Sequence, residues 1–352
     1  MTFGVYLHVP FCRRRCDYCA FATWTDRLEL AERYLSACRQ QVRRAASGLP
    51  PVTSAFVGGG TPSLAPPAQL MEVLAAVPFA PGAEVTVECN PDDVTPELLG
   101  VYAEGGVTRL SFGVQSMVPA VLDALGRTHD PASVHRAVES AHRVGLPFSV
   151  DLIYGAVGET LDDWTASLDQ VIELGPVHVS AYALTVEAGT PLAADQARRP
   201  DDDDQADKYE LAGDRLASAG FEWYEISNWA RPGNRCRHNS LYWSGGEYLG
   251  VGCAAHGHRG GRRSWNVRTP ERYLRAIERG DSPEAGAEEL PADQRRVERL
   301  QLAIRTDHGV AAHQVRRGLF DELDGLIERR ADRVVLTRRG RLLANEVAVR
   351  LG

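Results

Sequence analysis

Six short runs of β-forming residues, each followed by a stretch of helical periodicity, fill the first half of this chain: 4–9, 53–57, 84–89, 109–114, 148–153 and 177–182. Alternation this regular predicts parallel βαβ units with right-handed crossovers, because a parallel partner is reached only through a long connection. The helical stretches carry their own punctuation. Asp26 precedes a long amphipathic segment ending near Gly48, Thr95-Pro96 and Asp130-Pro131 each set a capping residue before a first-turn proline, and Gly145 follows the segment 131–144. Periodicity alone admits two α/β architectures, an open doubly wound sheet or a partial barrel.

The unusual residues fall at the carboxyl ends of these runs, where such folds gather their sites. Cys12, Cys16 and Cys19, spaced C-x3-C-x2-C, follow the first run, and Gly58-Gly59-Gly60-Thr61-Pro62 follows the second. Glu88 ends the third, Gln115 follows the fourth, and Asp151 lies late in the fifth. Three thiolates in one loop are a metal donor set. A tetrahedral zinc wants a fourth ligand close by, whereas an iron–sulfur cubane held by three thiolates keeps one iron open for a reacting ligand. A glycine triplet lets a ligand lie against bare backbone N–H and C=O groups, although a tight turn is its commoner use. Glu88 has a plain alternative too, as cap of the loop behind it.

At 352 residues the chain is long enough for one large domain and a smaller one. Seven cysteines, scattered outside the triplet, argue against a secreted disulfide framework. The start enters an apolar run with no basic, cleavable leader, and no stretch approaches a membrane span, so a cytoplasmic location is expected. A net charge of −8 disfavours wholesale nucleic-acid binding. Lys208 is the only lysine, and the run Asp201 to Asp204 reads as a helix N-terminus rather than a metal site.

After 182 the alternation stops. A loop (183–200), a helix (204–219) and a strand (221–227) are expected, then an aromatic- and glycine-rich segment, 228–262, of little regular pattern. Residues 280–286 resemble a linker. Helices around 294–304 and 311–319, a hairpin at 333–340 and a final helix complete a small α+β, winged-helix-like unit. Three units follow: 1–182, 183–280 and 281–352. In residues 291–352, 13 Arg stand against 9 Asp and Glu, too small an excess to support DNA binding.

The run Tyr6-Leu7-His8-Val9-Pro10-Phe11-Cys12 through Cys16-Asp17-Tyr18-Cys19 resembles the cluster motif of the radical S-adenosyl-L-methionine (SAM) family, in its coproporphyrinogen-dehydrogenase-like branch. The dehydrogenases carry one more cysteine two residues past the triplet and an N-terminal extension. Here Ala20-Phe21 stands in that place and the motif begins within twelve residues of Met1, so the likeness is to the heme chaperones of the branch.

The resemblance implies a partial (β/α)6 barrel open on one side, with Cys12, Cys16 and Cys19 holding a 4Fe-4S cluster. It implies that Gly59, Gly60 and Thr61 meet the methionine end of SAM, and that Tyr6, Glu88, Gln115, Arg127 and Asp151 stand at SAM-contacting positions. His238, in His238-Asn239-Ser240-Leu241-Tyr242-Trp243, matches a motif linked to heme binding. A lone histidine among aromatics is otherwise more often hydrogen-bonded in place. Cys236 and Cys253 offer sulfur ligands instead, and Cys38 and Cys89 read as core thiols. The implied function is to hold heme and pass it to heme-accepting proteins, with an electron donor serving the cluster. The alternative is oxygen-independent oxidative decarboxylation of coproporphyrinogen III. A peripheral membrane contact and the oligomeric state stay open.

Overall fold

The computed structural model describes residues 2–351 apart from 317. All six expected strands are present: β1 (Phe3–Val9), β2 (Val52–Gly59), β3 (Phe79–Cys89), β4 (Arg109–Gln115), β5 (Phe148–Tyr154) and β6 (His178–Ala183). They are parallel neighbours in chain order. Alternate residues go to opposite faces. Val5, Leu7, Val9, Leu110, Phe112, Val114, Val150 and Leu152 join the main apolar core, where each fully buried side chain contributes ~1.5–3 kcal/mol. The residues between them are polar and bond one another across strands, as Ser149 Oγ does to Ser111 Oγ at 2.9 Å and Ser111 Oγ to Asp151 Oδ2 at 2.9 Å. One face of the sheet is therefore apolar and the other is a polar lumen.

Thr95 and Asp130 accept from Leu98 N and Ser133 N ahead of their prolines, and Gly145 ends its helix at φ +72°. Asp26 does not cap. It pairs with Arg27, and a 3-10 turn, Leu28–Leu30, leads into the helix Ala31–Ala46. Asp201 caps the helix Asp202–Ser218 by accepting from Asp204 N at 2.9 Å. On that helix Lys208 is 0 % exposed, its Nζ donating to Asp204 Oδ2 at 2.6 Å and Glu159 O at 2.7 Å, with Glu159 Oε2 at 3.3 Å.

The segment 228–262 is more regular than its sequence. After β7 (Glu222–Glu225) come β8 (Asn228–Ala230), β9 (Glu247–Val251), β10 (His256–Arg259) and β11 (Arg262–Asn266). The linker-like stretch instead closes the helix Pro270–Arg279 at Gly280 and begins β12 (Glu284–Glu289). One sheet of twelve results, ordered β12-β11-β10-β9-β1-β2-β3-β4-β5-β6-β8-β7, with β9 parallel to β1 and β10 to β12 antiparallel. These added strands are short, rich in Gly, His and Arg, and mostly exposed in β12, so they lack the apolar alternation by which strands are recognised.

The helix Arg237–Trp243 crosses the lumen at the amino ends of the strands. Glu84 Oε1 accepts its Arg237 N at 2.8 Å and His238 N at 3.1 Å, His238 Nδ1 meets Ser54 Oγ on β2 at 3.0 Å, and Asn239 Nδ2 donates to Tyr224 on β7 at 3.1 Å. β2 and β7 lie six neighbours apart, ~29 Å in a flat sheet at ~4.8 Å per strand. Adjacent residues of one helix reach both only because the sheet curls into a partial barrel. The helix plugs its floor.

The C-terminal unit has its own core, including Leu300, Ile304, Val334, Val347 and Leu351, around β13 (Val310–Ala311), β14 (Ile327–Arg330) and β15 (Arg333–Leu336). The helix expected over 311–319 gives way to β13 and a 3-10 turn, Ala312–Gln314, and residue 317 of that span lies outside the described residues. The hairpin turns earlier than expected, at Ala331-Asp332, with Ala331 at φ +54°, and Thr337 caps a short helix, Arg338–Leu342. Thr306 bridges Glu225 of β7, Arg235 grips Asp307 at 2.6 and 3.1 Å, and the Arg341 guanidinium lies 3.6 Å from the centre of the Trp223 ring. Among the described residues no helix is long and apolar enough to cross a membrane.

Candidate metal and cofactor site

The cysteine loop is pinned at both ends. Cys12 N donates to Trp24 O at 3.1 Å and Trp24 N to Pro10 O at 2.8 Å, closing the loop at the carboxyl end of β1. Its middle is held by Asp17, whose carbonyl accepts Leu192 N at 3.0 Å and whose carboxylate pairs with Arg198 at 2.9 Å. Cys12, Cys16 and Cys19 are free thiols, partly exposed, while Cys38, Cys89, Cys236 and Cys253 are buried. Two of the three sulfurs receive donors: Thr61 Oγ1 to Cys12 Sγ at 3.6 Å and Arg127 Nη1 to Cys16 Sγ at 3.3 Å. Burial pushes the Cys12 and Cys19 thiols up, so loading a metal there displaces protons. Among the described residues no three His, Cys, Asp or Glu side chains stand close enough to hold a single ion. Soft sulfur donors, with hydrogen bonds aimed at two of them, fit an iron–sulfur cluster.

The glycine loop packs directly on β1. A side chain at Gly59, which sits at φ +113°, would run into the His8 ring, and one at Gly60 would meet the Phe11 backbone. Gly59 N donates to Glu88 Oε2 at 3.2 Å, Gly60 N to Val9 O at 2.7 Å and Thr61 N to Phe11 O at 2.7 Å. The expected bare donors are thus engaged within the protein, and the loop offers a ligand acceptors, the polarity an ammonium needs.

Glu88 and Asp151 stand as neighbouring lumen carboxyls. Desolvation, then the nearby Asp151, push Glu88 up to about 8, and the bond from Gly59 only partly offsets them. Burial also raises Asp151, against hydrogen bonds from Ser180 and Ser111. Two desolvated carboxyls beside an acceptor-lined turn fit a cationic ligand such as the amine of SAM.

Arg127 joins the groups. Besides Cys16 it donates to Gly113 O at 3.0 Å, to Asn90 Oδ1 and to His129 Nδ1 at 3.3 Å. Gln115 follows a register shift between β4 and β5 and adopts φ +64°, an uncommon conformation for a residue with a side chain. Tyr6 OH contacts His8 Nδ1 at 3.1 Å, and His8 Nε2 donates to Ala22 O at 2.9 Å beyond the cysteines. Sequence reasoning missed His8, Asn90 and His129 as organisers of this mouth. Nothing marks His8 beyond its place between Tyr6 and the cysteines.

His238 departs from expectation. It is 1 % exposed, with Nδ1 on Ser54 Oγ at 3.0 Å, Nε2 on Tyr242 OH at 2.9 Å, and its ring stacked on Phe56 at 5.7 Å. Both nitrogens are occupied, so an iron reaches Nε2 only by displacing Tyr242. Burial lowers its pKa to about 4. Cys236 and Cys253 are likewise buried.

Comparison with known proteins agrees with this geometry. Residues 6–171 match the Radical SAM superfamily. The chain is 44% identical to the Heme chaperone HemW of Mycobacterium tuberculosis, covering 98% of this chain and 93% of that protein. With the Heme chaperone HemW of Bacillus subtilis identity is 33%, covering 98% and 97%. Among solved structures, the coproporphyrinogen III oxidase HemN of Escherichia coli, a radical SAM enzyme, superposes with a TM-score of 0.85 over 99% of this chain and 90% of that one, at 22% identity, which is a likeness of fold. With a cysteine loop and glycine turn meeting at the mouth of a curled α/β sheet, and relatives along nearly its whole length, this chain belongs to the HemW family of the radical SAM superfamily.

Proposed function

We propose that the protein is a heme chaperone that holds a 4Fe-4S cluster, SAM and heme, and delivers heme to acceptor proteins. The near full-length identity to a protein named a heme chaperone carries this reading. Within it, residues 1–182 serve the cluster and SAM, 183–280 contribute to holding heme, and 281–352 form a smaller flanking domain. Cys12, Cys16 and Cys19 ligate the cluster, with Thr61 and Arg127 donating to two sulfurs. Glu88 and Asp151 receive the SAM amine, the Gly59-Gly60-Thr61 turn supplies acceptors, and Tyr6, Gln115 and Arg127 bound the remaining space. When bound, the cluster supplies the single electron that reductively cleaves the sulfonium of SAM. An external electron donor is the implied partner. The chain's own residues hold the cofactor and keep Glu88 protonated until a cation arrives.

The test is anaerobic reconstitution with iron and sulfide, followed by hemin titration and an assay for protoporphyrinogen. The expected outcome is a brown, heme-binding protein without catalytic decarboxylation. Cys16→Ala should lose the cluster absorbance and stay folded, because its core does not depend on metal. Full iron content in that variant, or turnover to protoporphyrinogen, would overturn the reading.

A further inference from the structure

Resting on the cluster-holding part of the reading above, we infer that His129 is a positioning residue, aiming the Arg127 guanidinium at the Cys16 sulfur so that this corner of the bound cluster attracts the incoming electron. Arg127 Nη1 donates to Cys16 Sγ at 3.3 Å, whereas Cys12 Sγ meets only the uncharged Thr61 hydroxyl, at 3.6 Å. Among the described residues no carboxylate pairs with Arg127. Its other bonds go to neutral acceptors, Gly113 O, Asn90 Oδ1 and His129 Nδ1. A partly buried guanidinium without a counter-ion favours negative charge beside it, and the thiolates of a loaded cluster supply that charge.

The guanidinium is a rigid planar fork, so whatever holds its Nε edge sets where Nη1 points. His129 Nε2 lies 2.8 Å from Val114 O. A carbonyl only accepts, so Nε2 carries the proton and Nδ1 presents its lone pair to Arg127 Nε at 3.3 Å. Burial, then the Arg127 charge, lower the pKa of the ring to about 4, in keeping with this neutral tautomer.

Three pieces of backbone fix the arrangement. Asp130, the next residue, caps the helix Pro131–Val144 through a capping box with Ser133, which anchors the chain where the His129 ring leaves it. Val114 is the extra residue at the register shift between Gly113 and Gln115, and the carbonyls of Gly113 and Val114 take Arg127 Nη2 and His129 Nε2. The turn before Arg127 is keyed to the cysteine loop: Asp17 N donates to Leu125 O at 3.4 Å, and a side chain at Gly126, at φ +72°, would run into Asp17. Strand irregularity, turn and loop converge on one sulfur. A donor that favours extra negative charge on a cluster thiolate raises the reduction potential.

The experiment measures the reduction potential of the reconstituted full-length protein without SAM, followed by electron paramagnetic resonance, with iron and sulfide counted in each variant. The two ring nitrogens can be replaced one at a time, since Asn sets an amide oxygen near Nδ1 and Gln an amide nitrogen near Nε2. His129→Gln keeps the Val114 bond and loses the acceptor for Arg127; it should lower the potential by ~59 mV, tenfold in the one-electron equilibrium. His129→Asn keeps the acceptor and should stay near the wild-type value. Arg127→Gln should lower the potential at least as far, and adding His129→Gln to it should lower it no further, because His129 acts through Arg127. Asn90→Ala, which frees the same guanidinium from another side, should shift it in the same direction. A wild-type potential in His129→Gln, equal shifts in the Gln and Asn variants, or additive shifts in the double variant would overturn the assignment and leave the chaperone reading standing. If His129→Gln takes up no cluster, an unmoved potential in Asn90→Ala overturns it instead. Failure of the wild-type protein to bind hemin would overturn the chaperone reading alone, and failure to take up iron and sulfide would overturn both.

Discussion

Glu88 and His238 give the unliganded protein two pH dependences of opposite sign. The Glu88 carboxyl is raised from 4.5 to about 8, so the folded state keeps a proton that the unfolded chain has released. Its contribution to stability is full below about 4.5 and is lost as pH rises through about 8. His238, lowered from 6.5 to about 4, favours the folded state above 6.5 and loses that contribution as pH falls toward 4. Denaturant midpoints between pH 7 and 8, above the window in which His238 contributes, should therefore depend less on pH in Glu88→Gln than in the wild type. An unchanged slope would refute the desolvated carboxyl. Calorimetry in buffers of different ionisation enthalpy should detect proton release on SAM binding, absent in Glu88→Gln.

Lys208 ties two elements together, clamping the loop before the helix Leu161–Glu173 to the helix Asp202–Ser218 through Glu159 and Asp204. Lys208→Ala leaves Glu159 buried without its cation and should cost ~3–5 kcal/mol in chemical denaturation. Arg143→Ala, breaking the exposed pair with Glu139, should cost under ~0.5 kcal/mol. Equal effects would deny the buried cluster its role. The six parallel strands were legible because each alternates apolar and polar residues against covering helices. The cysteine triplet and glycine turn were legible because their residue types are rare and specific. Strands β9 to β12 were not, since β9 joins the open edge at β1 and each of the others pairs with the strand before it, so register comes from the neighbouring strand rather than from an apolar alternation of their own. The plug was illegible for a related reason: its histidine sits among aromatics as a heme ligand would, and only the tertiary partners Ser54 and Tyr242 disclose that both nitrogens are occupied.

Across the whole molecule, the C-terminal unit is joined to the barrel by the Glu225–Thr306 bridge, the Arg235–Asp307 pair and the Arg341–Trp223 stack. Each polar contact contributes ~0.5–1 kcal/mol at this exposure. Asp307→Ala combined with Arg341→Ala should make the part of the chain after β12, residues 291–352, susceptible to brief proteolysis at denaturant concentrations where the barrel still resists, and simultaneous digestion of both would count against separate cores. The chain's one lysine adds a consequence at the same scale. Because its ammonium is sealed, the native fold presents no side-chain amine to solvent, and an acylating ester can modify that position only after the barrel wall has opened. The rate at which mass spectrometry finds a label on Lys208 is therefore a clock for that opening, and a bound cofactor that braces the wall will slow it.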